Sequence, residues 1–106
     1  MQESPTLNYI KEIAGDDKDY VAKLLTIIKT EFPLEKEQFI VFYKQQDFRQ
    51  CAEMVHKLKH KINILGLEKS YEVARDFENQ LKNNNDSLYP PFYQILMHIE
   101  NYLDSL

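Results

Sequence analysis

Glycine and proline are scarce, with two and four in 106 residues. So little turn material argues against a β-rich fold, which needs tight turns at every hairpin. A single cysteine, Cys51, rules out an intrachain disulfide and implies no oxidising compartment. No apolar run approaches the roughly 18 residues of a membrane span, and no signal-peptide pattern opens the chain. A cytoplasmic location with no membrane partner is expected. No glycine-rich phosphate loop exists, so no ATP site is recognisable and the chain should not be a kinase by itself. Positive charge is not in excess either: the net charge of −4 argues against a nucleic-acid partner. What remains is an ordinary globular composition, 43% apolar and 28% charged. The length fits one domain over residues 1–106, and neither a repeat nor a linker is visible.

The apolar spacing is helical throughout. Leu7, Ile10, Ile13 and Ala14 predict a short first helix that Gly15 ends. Asp16 or Asp17 can cap the second, whose stripe is Val21, Leu25, Ile28, Phe32, Phe39, Phe42 and Tyr43. Pro33 interrupts that stripe, yet Phe32 and Phe39 stay in phase, which predicts a kink rather than a break. A second line, Ile27, Leu34 and Val41, either covers the first helix or is exposed. Asp47 should cap a third helix, with Gln50 as its capping-box partner and Phe48, Cys51, Val55, Leu58, Ile62 and Leu65 inward. Gly66 ends it. A fourth helix presents Leu67, Tyr71, Ala74, Phe77 and Leu81. After the polar turn Asn83–Ser87, Pro90 and Pro91 suit the first turn of a last helix bearing Phe92, Ile95, Leu96, Ile99, Tyr102, Leu103 and Leu106. Short turns make such helices antiparallel. The expected fold is all-α, an antiparallel four-helix bundle with a short extra N-terminal helix.

The chemistry concentrates in "VHKLKHKINILG", Val55 to Gly66. At about 100° per residue, His56 points away from the core, with Ala52, Lys59, His60 and Asn63 around it and Lys57 and Lys61 on the flank. Cys51 falls inward, as an inert apolar residue rather than a nucleophile. The plain reading of such a face is a solvated surface. A metal reading would join Glu53, His56 and His60, since residues three and four apart share a helix face. Three nearby lysines would repel a dication, and His98 stands alone on the last helix. The third reading is a phosphohistidine, because an imidazole offers a nucleophilic lone pair near neutral pH. It needs exposure, a nearby cation for the phosphoryl oxygens and an acceptor to hold one ring nitrogen protonated. His56 is exposed on this wheel and Lys59 lies one turn away.

The stretch "VHKLKHKINILGLEKSYEVARDFENQL" resembles the histidine phosphotransfer (HPt) domain of multistep phosphorelays. The family pattern is a histidine, a hydrophobe two residues on, a lysine three on and a glycine ten on, here His56, Leu58, Lys59 and Gly66. The similarity takes in about residues 7–82, including the helix with Pro33 and the lead-in "QDFRQCAEMVH". The resemblance implies that His56 accepts a phosphoryl group from a receiver-domain aspartate on its outer ring nitrogen. Lys59 would neutralise phosphoryl charge. Glu78, twenty-two residues after His56, would hold the inner nitrogen. Ala52, Glu53, His60 and Asn63 would meet the partner. The partners implied are receiver domains of response regulators and hybrid histidine kinases, met by a monomer. No cofactor is implied, and any magnesium belongs to the receiver's aspartates. The family usually has glycine and then small residues after the lysine, where this chain has His60 and Lys61. His60 would crowd a partner or add a donor for the phosphoryl oxygens.

Overall fold

The computed structural model describes residues 3–106. They form five helices and no strand: α1 Asn8–Ala14, α2 Lys18–Lys44, α3 Phe48–Ile64, α4 Glu68–Lys82 and α5 Tyr89–Asp104. The last four make the bundle. Helix α3 packs between α2 and α4, α5 closes the ring against α4 and α2, and α1 lies on α2.

Each boundary has a local cause. Asp17 accepts the Tyr20 N–H at 3.0 Å and Asp47 accepts the Gln50 N–H at 3.2 Å, so both helices start on a carboxylate cap. The expected capping box is only half formed: the Asp47 N–H donates to the Phe42 carbonyl, which leaves the Gln50 side chain no role there. Gly66 sits at φ +76°, with its N–H on the Asn63 carbonyl and the Leu67 N–H on that of Ile62. This pair of bonds is a Schellman ending, which needs a residue that tolerates the left-handed region. Helix α2 runs unbroken through Pro33, with Phe32 and Phe39 both fully buried. Packing of that stripe outweighs the hydrogen bond the proline cannot make.

The core is aromatic at its centre. Phe39 of α2 meets Phe77 of α4 and Phe92 of α5 edge-on, with centroids 6.1 and 5.3 Å apart. Edge-to-face contacts place positive ring edges on negative faces and add to the area buried. At one end Tyr43 stacks on Tyr89 at 3.8 Å and donates to Asp86 at 2.6 Å, tying α2 to the turn before α5.

The sequence reading needs several corrections. Ile13 and Leu106, placed on apolar faces, are half exposed, because each lies at an end of the chain's packed region with no helix over it. Of the two options for the Ile27, Leu34, Val41 line, exposure is the one found. On α3 the buried arc is wider than one stripe. Ala52, expected on the solvent face, is 3% exposed, and Lys61, expected on the flank, is 9% exposed. A helix flanked by two neighbours buries both sides of its stripe, and Met54 is covered for the same reason. Lys61 is tolerated there because α2 supplies Glu31 and Glu35 at 3.0 Å each.

The N-terminal segment clasps the turn between α3 and α4. The Thr6 N–H donates to the Leu65 carbonyl at 2.9 Å. The Glu3 carboxylate accepts the N–H groups of Lys69 and Ser70, both at 2.8 Å. Leu67 offers no side-chain cap to α4, so Glu3 satisfies two of its free donors from the other end of the chain.

Candidate functional site

His56 stands in the middle of α3, with its side chain about half exposed at 52%. Its Nδ1 lies 3.2 and 3.3 Å from the two carboxylate oxygens of Glu78 on α4. Two features bring these groups together. The Gly66 turn sends α4 back along α3, and Ala74, Phe77 and Leu81 lock its register against the core. Glu78 follows Phe77 directly and so borders the core without entering it.

Glu78 is the hub of the site. Its side chain is only 10% exposed, and three nitrogens surround it. Besides His56, the Lys59 ammonium lies 2.9 Å from Oε1 and the Lys82 ammonium 3.3 Å from Oε2. Burial pushes its carboxyl pKa up. Hydrogen bonds from Lys59 and Lys82, with the charges of Lys59 and His56, outweigh that and hold it below the ordinary value of 4.5. Glu78 is therefore an anion at neutral pH. A carboxylate only accepts, so His56 Nδ1 must carry the proton. In the neutral ring the lone pair is then on Nε2, the outward nitrogen.

Lys59 does not stand free beside that nitrogen. Its side chain is 13% exposed, engaged with Glu78, and its ammonium lies 5.8 Å from the centre of the Tyr71 ring. This corrects the expectation of an open face: Lys59 faces α4, whose packing covers that flank. In the structure it balances the carboxylate that orients the imidazole.

His60, one turn after His56, brings its Nε2 to 3.3 Å from the Nε2 of His56, with the rings nearly perpendicular. Glu53 and Asn63 are exposed on the same helix. Among the described residues no three His, Cys, Asp or Glu side chains gather as a metal-binding group. Glu53, His56 and His60 do not converge as the metal reading required. Cys51 is buried, and burial followed by the Asp47 charge pushes its thiol pKa up to about 11. It is inert as a nucleophile at neutral pH. His98 is half buried on α5.

A groove of about 730 Å³ opens beside His56. Arg49, Ala52, Glu53 and Lys57 of α3 line one wall, and Glu78, Leu81 and Lys82 of α4 the other, with Asn84 at the end. Buried Ala52 lies in its floor. Three contributors were not singled out from sequence. Lys82 had a signal, because it lies four residues after Glu78 on the same helix face. Arg49 had one too, two turns before His56. Tyr71 was placed as a core residue; its ring beneath Lys59 follows only from how α3 and α4 pack.

An exposed imidazole with one nitrogen held by an anion and the other outward can act as a nucleophile through Nε2. Among the described residues no helix is long and apolar enough to cross a membrane. The protein-family model described as the Hpt domain matches residues 18–106, which take in α2 through α5. No curated protein and no solved structure matches the chain.

Proposed function

The chain belongs to the Hpt domain family, and from that premise we propose that His56 carries the phosphoryl group. Members of the family are phosphocarriers, not kinases, and serve histidine phosphotransfer in phosphorelays by meeting receiver domains. The observation that supports His56 is its Nδ1 contact with Glu78 at 3.2 Å, which leaves the Nε2 lone pair outward.

In the forward step this lone pair attacks the phosphorus of a receiver's aspartyl phosphate. The N–P bond forms as the P–O bond to the aspartyl carboxylate breaks, and the carboxylate leaves with the bonding pair. The ring becomes a phospho-imidazolium whose Nδ1–H still donates to the Glu78 carboxylate, and that negative charge stabilises the new cation. Return to a second receiver reverses each bond change. Lys59 holds Glu78 in the resting state, and a short swing toward the phosphoryl oxygens lets it neutralise their charge. Ala52, Glu53, His60 and Asn63 form the surface a receiver meets, Ala52 as the floor of the groove. The domain works as a monomer in the cytoplasm. Its partners are receiver domains of response regulators and hybrid histidine kinases.

The test is transfer from a phosphorylated receiver domain to the wild-type protein and to His56→Gln. The wild type should gain acid-labile, alkali-stable phosphate and the variant none. Labelling that survives in His56→Gln overturns the assignment. Labelling lost in His60→Ala but kept in His56→Gln moves the role to His60. Binding without any transfer supports the second reading, a docking module, which the contact of His60 with the His56 lone pair favours.

A further inference from the structure

We infer that His60 is a hydrogen-bond donor that caps the lone pair of His56 in the resting protein and clasps the phosphoryl oxygens after transfer. The inference rests on the reading of His56 as the phosphoryl carrier.

The donor is assigned by elimination. Glu78 accepts from His56 Nδ1, so neutral His56 has no hydrogen on Nε2. The Nε2 of His60 is 3.3 Å from that atom, and the perpendicular rings bring the nitrogens together at their edges. A His60 tautomer with its proton on Nδ1 would set two lone pairs against each other. The Nε2–H form, or the imidazolium, makes a hydrogen bond instead. His60 is exposed on α3 and has no hydrogen-bond partner other than His56 among the described residues.

The same electron pair cannot both accept this hydrogen bond and bond to phosphorus. When the N–P bond forms, the His60 N–H loses its acceptor. The phosphoryl oxygens then lie two bonds beyond the atom it was hydrogen-bonded to, within its reach. They are charged, and a charge-assisted hydrogen bond is roughly twice as strong as a neutral one. His60 therefore stabilises the loaded state more than the empty state, by differential binding. This is a second role for the position where the family usually carries glycine.

The resting contact is read at pH 8, where a free imidazole is neutral. Two-dimensional ¹⁵N–¹H spectra should show His60 in its Nε2–H form and His56 in its Nδ1–H form. In His60→Ala the His56 Nε2 resonance should move toward the value of a free lone pair. An Nδ1–H His60 or an unmoved resonance overturns the cap. The clasp is read by loading His56 with phosphoramidate against added ammonium: phosphorus moves from the donor nitrogen to Nε2, and ammonia leaves. His60→Ala should lower the loaded-to-empty ratio about three- to tenfold, the range of one net hydrogen bond. His60→Gln, which keeps an N–H donor, should restore most of it. An unchanged ratio, with loading still lost in His56→Gln, overturns the clasp alone. No loading in any variant overturns the carrier reading and this inference with it.

Discussion

Replacing Glu78 with glutamine keeps the shape of the side chain and one acceptor oxygen but removes the charge on which three nitrogens converge. The Lys59 pair dominates the loss, because both partners are about nine-tenths covered and 2.9 Å apart. Coulomb's law at that distance gives about 1.4 kcal/mol in water and about 6 kcal/mol at an effective dielectric of about 20. Desolvation of the pair offsets part of this, and the glutamine carbonyl keeps a hydrogen bond. Lys82, 60% exposed, adds only a few tenths. The net cost should be about 2 kcal/mol, or roughly 8 °C in the midpoint of thermal unfolding for a domain this size. The pH dependence identifies the cause. A carboxyl held below 4.5 in the folded state contributes stability that is fully present above that value. It is lost as pH falls through the folded value. The gap between wild type and Glu78→Gln should thus be constant from neutral pH to about 5 and close as pH falls below 4.5 through the lowered folded value. Transfer should slow about tenfold, since the phospho-imidazolium loses an anion 3.2 Å away, worth about 1.3 kcal/mol under water-like screening. A variant as stable as wild type at pH 7, or a gap that persists in acid, would refute this account of the hub.

Three other outcomes follow from the packing. Gly66→Ala places a Cβ 2.7 Å from Thr6 Cγ2 at φ +76°, so it should cost roughly 2–3 kcal/mol in denaturant unfolding. In a Thr6→Ser background, where that methyl is gone, the cost should fall; an equal cost would locate the strain elsewhere. Lys61→Ala leaves Glu35 covered and unpaired and should destabilise by about 2–3 kcal/mol, whereas pairing Lys61→Met with Glu35→Leu should recover most of that. Cys51, its thiol pushed up to about 11, should react with a disulfide reagent at pH 8 only as fast as the bundle opens; rapid labelling without denaturant would contradict its burial.

Much of the fold was legible because its signals are local. Asp17, Asp47 and Gly66 mark helix ends through bonds that span three to five residues. The Phe32 to Phe39 phase across Pro33 was enough to expect one helix where proline alone suggests two. The site was harder to read. A helical wheel assumes one core direction, and α3 has neighbours on both flanks. So Ala52 was placed in solvent though it is buried, Lys59 though it pairs with Glu78 of α4, and Lys61 was placed on a flank when the acids of α2 enclose it. The cap from Glu3 to Lys69 and Ser70 joins residues too distant in the chain for any local pattern to pair.

The sequence by itself determined the five helices, their order and the side of α3 that bears His56, because periodicity, caps and breakers act within a few residues. Only the tertiary structure decided what that imidazole is. Packing of α4 against α3 sets Glu78 on Nδ1 and draws Lys59 inward. Which nitrogen holds a proton depends on what touches it, and those contacts exist only once the helices have packed.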